Sequence, residues 1–268
     1  RVHGVEGSDA AHKAAANLSD SDRFITVDGD NRIRGDFLQQ SIDFGEETDL
    51  TDKVISWTAL NHINGLAYGN GGLKCWPKQY VLDMRTHENA PADNVHAQVD
   101  FCWNTQYIQM NGTFSDIYNN GSAQQAWRAG FREGVKMALD RGMRVSVDEF
   151  NNNHWKNLHR LYVWLMAGAD VEYGRWAIYG AREGLFKTMC TDWDHVNVRD
   201  FTYLNNYWIE KGDIVEEDIE HYSNDLGEKL KHELNLPIAV EPFNADQSKF
   251  FKTVYQNPAR DNSQQFLD

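Results

Sequence analysis

The sequence predicts an α/β protein: a mixed sheet flanked by helices in residues 1–120, then a largely helical C-terminal half over 121–268, together one domain. Three observations carry this. Phe24-Ile-Thr-Val-Asp-Gly-Asp-Asn31 is a strand-like run that ends in two aspartates. Val54-Ile-Ser-Trp-Thr-Ala59 is a second such run, followed by a glycine-rich stretch. Beyond residue 120 the period changes: Trp127, Phe131, Val135 and Leu139 recur every four residues and give the apolar stripe of an amphipathic helix.

Taken in order, residues 9–18 are alanine-rich and predict a helix. The acidic turn Ser19-Asp-Ser-Asp22 ends it, and the strand over 23–27 follows. Residues 34–50 are polar, with a short helix expected around Phe37–Ile42. After the strand at 54–59, the stretch 65–72 places four glycines in eight positions before a further strand. Val99-Asp-Phe-Cys-Trp103 and Gln106-Tyr-Ile-Gln-Met110 are short strand candidates. Residues 154–167 repeat the helical pattern with Trp155, Leu158, Leu161, Tyr162, Leu165 and Met166. An acidic helix is expected over 214–234, with Val215, Ile219, Tyr222, Leu226 and Leu230 on its inner face. The polar tail after Pro258 reads as surface or disordered chain.

Composition narrows the function. A formal charge of −14 argues against broad, sequence-independent nucleic-acid binding, which relies on a basic surface; a local basic groove stays open. The 41% apolar and 12% aromatic content fits a globular chain. No apolar run approaches the roughly 20 residues that span a bilayer. The opening Arg1-Val-His-Gly-Val-Glu-Gly does not read as a signal peptide. Cys75, Cys102 and Cys190 are odd in number and never spaced Cys-x-x-Cys, so reduced thiols in a cytoplasmic setting are expected.

A strand ending in Asp-x-Asp sets Asp28 and Asp30 at the C-terminal edge of a sheet, both side chains pointing the same way. Open α/β folds bind ligands there. Two carboxylates that close repel, and a divalent cation keeps both ionised. Gly29 is expected to let the backbone turn and a bulky ligand approach. The plain alternative is a surface turn, which Asp-Gly and Asp-Asn also form; the apolar strand before the pair favours the metal. A calcium loop of EF-hand type fails, because Arg32 and Ile33 fall where an oxygen ligand and a glycine are needed.

Gly69-Asn-Gly-Gly72 with Lys74 is the second candidate: bare backbone at Gly71 and Gly72 to approach a sugar or phosphate, Asn70 and Lys74 as donors. An ordinary Asn-Gly hairpin is its plain reading. Asp100 lies between Val99 and Phe101, where partial burial would raise its pKa toward that of a general base; a solvent-facing aspartate is the alternative. Arg128, Arg132 and Lys136 follow i, i+4, i+8 spacing in a basic island that ends at Arg144. Guanidinium groups suit phosphate, although a charge stripe is more often the solvated face of a helix. His154, His159 and His195 stay open between metal ligand and surface residue.

With these residues in hand, the chain resembles the GT-A class of nucleotide-sugar glycosyltransferases. The matching pieces are the helix and strand leading into Phe24–Asn31, the stretch Asn70-Gly-Gly-Leu-Lys74, and Ala126-Trp-Arg-Ala-Gly-Phe-Arg-Glu133, similar to helical segments of bacterial and tailed-phage members. The resemblance implies a GT-A-like sheet, a nucleotide-sugar donor, and Mn²⁺ or Mg²⁺ held by Asp28 and Asp30 across the donor's two phosphates. It implies that residues 69–72 line the donor sugar and acceptor. Asp100 would deprotonate an acceptor hydroxyl in an inverting enzyme; a retaining one needs no such base. The acceptor is expected to be a glycan first, with lipid-linked sugar, protein and a modified DNA base open. Members of the class carry a nucleotide-binding strand and helix well before Asp-x-Asp. Only 27 residues precede it here, so an N-terminal nucleotide-binding segment is expected to be lacking.

Two rivals stand beside it. A phosphatase of the haloacid dehalogenase type also uses a strand-ending Asp-x-Asp, with the first aspartate as nucleophile and the second as acid/base. Here Asn31 and Arg32 follow the motif and no downstream Gly-Asp-x-x-x-Asp cluster is clear. A non-catalytic carbohydrate-binding or assembly protein is the other, suggested by nine tryptophans and eleven tyrosines that suit sugar stacking or an ordinary core.

Overall fold

The structure is a computed structural model that describes residues 2–44, 50, 52–68, 72–89, 107–212 and 214–254. The chain divides into two compact units, residues 1–61 with 67–118, and residues 62–66 with 119–268.

In the first unit the alanine-rich segment forms helix α1 (Ser8–Leu18), and strand β1 (Arg23–Val27) follows it. Strands β2 (Asn31–Ile33), β3 (Val54–Asn61), β4 (Ala67–Tyr68), β5 (Leu73–Pro77) and β6 (Tyr107–Ile117) complete a mixed sheet, with helix α2 (Lys78–Asp83) directly after β5. The order is β1-β5-β3-β6-β2, with β4 on β3. β3 and β6 run parallel and every other pair is antiparallel.

Strand alternation sends side chains to two cores. One face packs Val54, Trp76 and Phe24 against Ala16 of α1 and Val81 of α2. The other gathers Ile55, Trp57, Leu73, Cys75 and Phe114 around Phe37. Phe37 sits on a single 3-10 turn, Gly35–Gln39, where the sequence suggested a helix around 37–42.

β6 runs well past the expected 106–110. The strand continues through Asn111-Gly-Thr113: Gly112 takes φ 98° and the ladder shifts register between Trp57 and Ala59, so pairing resumes beyond it. The strand candidate at 99–103 lies outside the described residues.

The second unit holds helices α3 (Ala123–Ala138), α4 (Trp155–Met166), α5 (Gly174–Cys190), α6 (Phe201–Glu210), α7 (Ile219–Leu234) and α8 (Ala245–Val254). Ser122 caps α3, its Oγ accepting from Gln125 N–H at 3.1 Å. The stripe Trp127, Phe131, Val135 and Leu139 is buried as expected. α3 and α5 cross at backbone contact. A Cβ on Gly130 or Gly134 would run into the carbonyls of Ala177 and Ala181, and one on Gly180 or Gly184 into those of Trp127 and Phe131.

Two expectations here need correction. Trp155 is exposed at the first position of α4, stacked on His154. At 214–234 a 3-10 turn (Glu216–Asp218) precedes α7, whose buried side is Ile219, Ser223, Gly227, Leu230 and Leu234; Val215 and Tyr222 are exposed. The cause is Arg182 on α5. Its fully buried guanidinium donates to the carbonyls of Leu165 (3.0 Å), Ser223 (2.8 Å) and Val240 (2.6 Å), and only small residues on α7 leave room for it. Burial lowers its pKa to about 10, so it stays charged at neutral pH.

Candidate functional site

Cross-strand register builds the site. β1 and β5 pair Phe24 with Trp76 and Thr26 with Lys74. Pairing continues one residue further, with Asp28 N–H donating to the Gly72 carbonyl at 2.9 Å. Phe24, Thr26 and Asp28 therefore share a face with Trp76, Lys74 and Gly72. Trp76 Nε1–H donates to Thr26 Oγ1 at 2.8 Å and fixes that assignment. Helices α1 and α2 cover the Phe24–Trp76 end of this face; the Lys74–Asp28 end is polar.

Beside Lys74, Ser56 of β3 stands in register with both Lys74 and Gln109 of β6. Ser56 Oγ–H donates to Gln109 Oε1 (3.1 Å), and Gln109 Nε2–H donates to Thr58 Oγ1 (3.2 Å). A polar row thus crosses four strands next to Asp28.

Asp30 is held from the other side. Asn31 N–H closes the turn onto the Asp28 carbonyl (2.9 Å), and Tyr118 N–H reaches the Asp30 carbonyl (2.7 Å). Asn31 Nδ2–H donates to Asp30 Oδ1 at 2.9 Å, while Ser115 Oγ–H donates to Asn31 Oδ1 at 3.0 Å. The Asp30 carboxylate is therefore oriented through β6.

The glycine between the aspartates is not the one that matters sterically. A Cβ on Gly29 would meet nothing within 4 Å, and its φ is not left-handed. A Cβ on Gly72 would lie 2.5 Å from Asn31 Nδ2 and 2.6 Å from Asp28 Cβ. Bare backbone is needed beneath the acidic pair, not within it.

Lys74 is only 8% exposed. Burial lowers its pKa, opposed by the charges of Asp28 and then Asp30. The Asp28 carboxyl is raised from the ordinary 3.8, first by burial, with Lys74 opposing and Asp30 adding. Asp28 is itself exposed at the sheet end, so only the direction of that shift bears on the chemistry.

The direction has a consequence for stability. The folded state binds the Asp28 proton more tightly than the unfolded chain does. The stability this contributes is complete below pH 3.8 and is lost as pH rises through the folded-state pKa. Asparagine is neutral throughout. Asp28→Asn is therefore expected to exceed the wild type in urea midpoint at pH 7 and to lose that advantage by about pH 4. An advantage that does not change with pH would discard the charge account.

Among the described residues no group of three or more His, Cys, Asp or Glu side chains is arranged to hold a metal. Asp28 and Asp30 would offer two carboxylates. Such a set suits Mg²⁺ or Mn²⁺, which complete their shell with water and phosphate oxygens, and does not suit a closed zinc site. His154 Nδ1 accepts from Lys156 N–H (3.2 Å), and His195 Nε2 bonds the Gly142 carbonyl (3.0 Å).

Arg128 and Arg132 belong to the second unit, where both guanidinium groups stack on Phe201 at 4.9 and 4.7 Å. Arg128 also donates to Asn205 Oδ1 (3.2 Å), and Lys136 lies 3.8 Å from Glu133. The Phe201 and Asn205 contacts tie α3 to α6. Asn70, Gly71 and Asp100 lie outside the described residues.

Sequence reasoning missed Asn31, Ser56, Gln109 and Ser115 as parts of the site. A serine inside the apolar run Val54-Ile-Ser-Trp57 was the available signal; the Ser115–Asn31 contact spans 84 positions and has none. The second unit has its own buried charge, Glu183, ion-paired with Lys211 and accepting from Trp127 Nε1–H (2.7 Å) and the Tyr207 hydroxyl (2.6 Å). Its partners satisfy it, and it reads as core. No family model, curated protein or solved structure matches the chain, and the likeness to GT-A glycosyltransferases rests on the residues described above.

Proposed function

We propose that this protein is a metal-dependent glycosyltransferase that moves a sugar from a nucleotide-sugar donor to a hydroxyl acceptor, a glycan foremost. The observation that carries the reading is the Asp28–Asp30 pair on the turn that follows β1, with Asp30 held by Asn31 and Asp28 on the same sheet face as the buried Lys74.

In such a transfer the acceptor oxygen forms a bond to the anomeric carbon as the bond from that carbon to the diphosphate breaks. Negative charge collects on the departing diphosphate. Asp28 and Asp30 would hold Mn²⁺ or Mg²⁺, which supplies Lewis-acid neutralisation of that charge. Lys74 adds a fixed positive charge on the same side, and Asn31 keeps the Asp30 carboxylate aimed. The polar row Ser56–Gln109–Thr58 offers hydroxyl and amide groups to sugar hydroxyls on the same sheet face. Asp100 remains the expected base for an inverting reaction. The free thiols of Cys75 and Cys190 suit a reducing, cytoplasmic setting, and among the described residues no helix is long and apolar enough to cross a membrane.

The phosphatase reading calls for further acidic residues beside the pair, and nothing among the described residues favours it. Calorimetry against UDP-, GDP- and TDP-sugars, with and without Mn²⁺, tests the transferase. One donor class is expected to bind in a Mn²⁺-dependent way, with Asp28→Asn and Asp30→Asn each weakening it by roughly two orders of magnitude. Phosphate release without any acceptor, or full activity in both variants, would refute the proposal.

A further inference from the structure

The charge beside the aspartates has a role of its own. We infer that Lys74 is the resident counter-cation of the Asp28–Asp30 pair, so that the pair takes a divalent ion tightly only once a diphosphate engages the lysine.

The geometry comes from the sheet. Thr26 is directly opposite Lys74, and Asp28 is opposite Gly72, which makes Asp28 the diagonal neighbour of Lys74 on one face. Diagonal positions lie roughly 7–8 Å apart, within the span of a lysine side chain. Gly72 has no side chain to intervene. Thr26 and Ser56 flank Lys74 on either side and Trp76 follows it on the same face, and Lys74 is buried there. Both carboxylates act on it, Asp28 more strongly.

Two carboxylates and one ammonium leave a net charge of one negative. A divalent ion arriving alone meets weaker attraction than the bare pair would give, and repulsion from Lys74. A diphosphate changes this. Lysine binds phosphate as a point charge, so the ammonium could turn its donors to a diphosphate, leaving Asp28 and Asp30 to hold the metal, which would supply charge neutralisation. Metal and diphosphate then bind with positive coupling, and the coupling is reciprocal. The metal part of this rests on the transferase reading; the role of Lys74 is separable from it.

Mn²⁺ alone and inorganic pyrophosphate are sufficient probes. Water-proton relaxation would report protein-bound Mn²⁺ for the wild type, Lys74→Met and Lys74→Arg, each with and without pyrophosphate. Lys74→Met is expected to bind Mn²⁺ alone about tenfold more tightly than the wild type, a typical coupling, with Lys74→Arg close to the wild type. Pyrophosphate should tighten Mn²⁺ in the wild type and have much less effect in Lys74→Met.

Equal Mn²⁺ affinity in the wild type and Lys74→Met, lost in both on adding Asp28→Asn, would overturn the inference and leave the metal site standing. Absence of Mn²⁺ binding in every protein and condition would overturn both. Should Lys74→Met fail to fold, the wild type decides: a Mn²⁺ affinity indifferent to pyrophosphate ends the proposal.

Discussion

Gly180→Ala is expected to destabilise the protein by about 3 kcal/mol, near the upper end for overpacked cores. Intrinsic propensity predicts the opposite sign. Alanine in place of a mid-helix glycine is ordinarily worth about 1 kcal/mol in favour of the helix. At Gly180 the new Cβ would overlap the Trp127 carbonyl, and the next nearest atoms are also α3 backbone. No side chain can swing aside, so α3 and α5 must separate. Separation loosens the packing of Trp127 and Phe131, both fully buried. For a chain of this size the loss corresponds to a melting temperature lower by roughly 6–12 °C. Gly130→Ala should behave alike, because its Cβ would meet the Ala177 carbonyl from the other helix. Thermal melts of both variants check this. A raised melting temperature in either would show that propensity wins and that the helices do not touch at those positions.

The same glycines explain what the sequence could and could not reveal. α3 was legible because its apolar residues fall on one side and its charged ones on the other. α5 was not: buried residues surround it almost completely, and Gly174, Gly180 and Gly184 depress its apparent helix propensity. α7 was legible as a helix, with Ile219 and Leu230 on its buried side, but Ser223 and Gly227 were not legible there because they are small to admit Arg182, and Val215 and Tyr222 are exposed. In the sheet, β1 and its aspartates were readable from one short run. Their supports were not, because Ser115, Asn31 and Gly72 meet only through strand pairing. Arg128 and Arg132 had the spacing of a phosphate stripe, and Phe201, some seventy positions away, takes both guanidinium faces. Local pattern named the candidate residues, and long-range register decided where they sit.

Register also yields the sharpest test of the site. On the transferase reading proposed above, Gly72→Ala is expected to cost donor turnover about 100-fold, the scale for a displacement near 1 Å, while Gly29→Ala leaves turnover near that of the wild type. The two glycines are both small and both beside the aspartates, so composition cannot separate them. Space can. Gly29 faces open solvent, whereas a methyl at 72 would press on Asn31 Nδ2, Asp28 Cβ and Asp28 Oδ2 at once. Asn31 cannot yield without releasing the Asp30 carboxylate or the Ser115 hydroxyl. Asp28 cannot yield without straining its backbone bond to residue 72 itself. Both carboxylates therefore move, and in different directions. Mn²⁺ binding to the two variants measures this without any acceptor. Affinity should fall in Gly72→Ala and hold in Gly29→Ala, and relief of the crowding by Asn31→Ala in the same chain should restore part of it. If Gly72→Ala binds Mn²⁺ as the wild type does, the aspartates do not act as a pair.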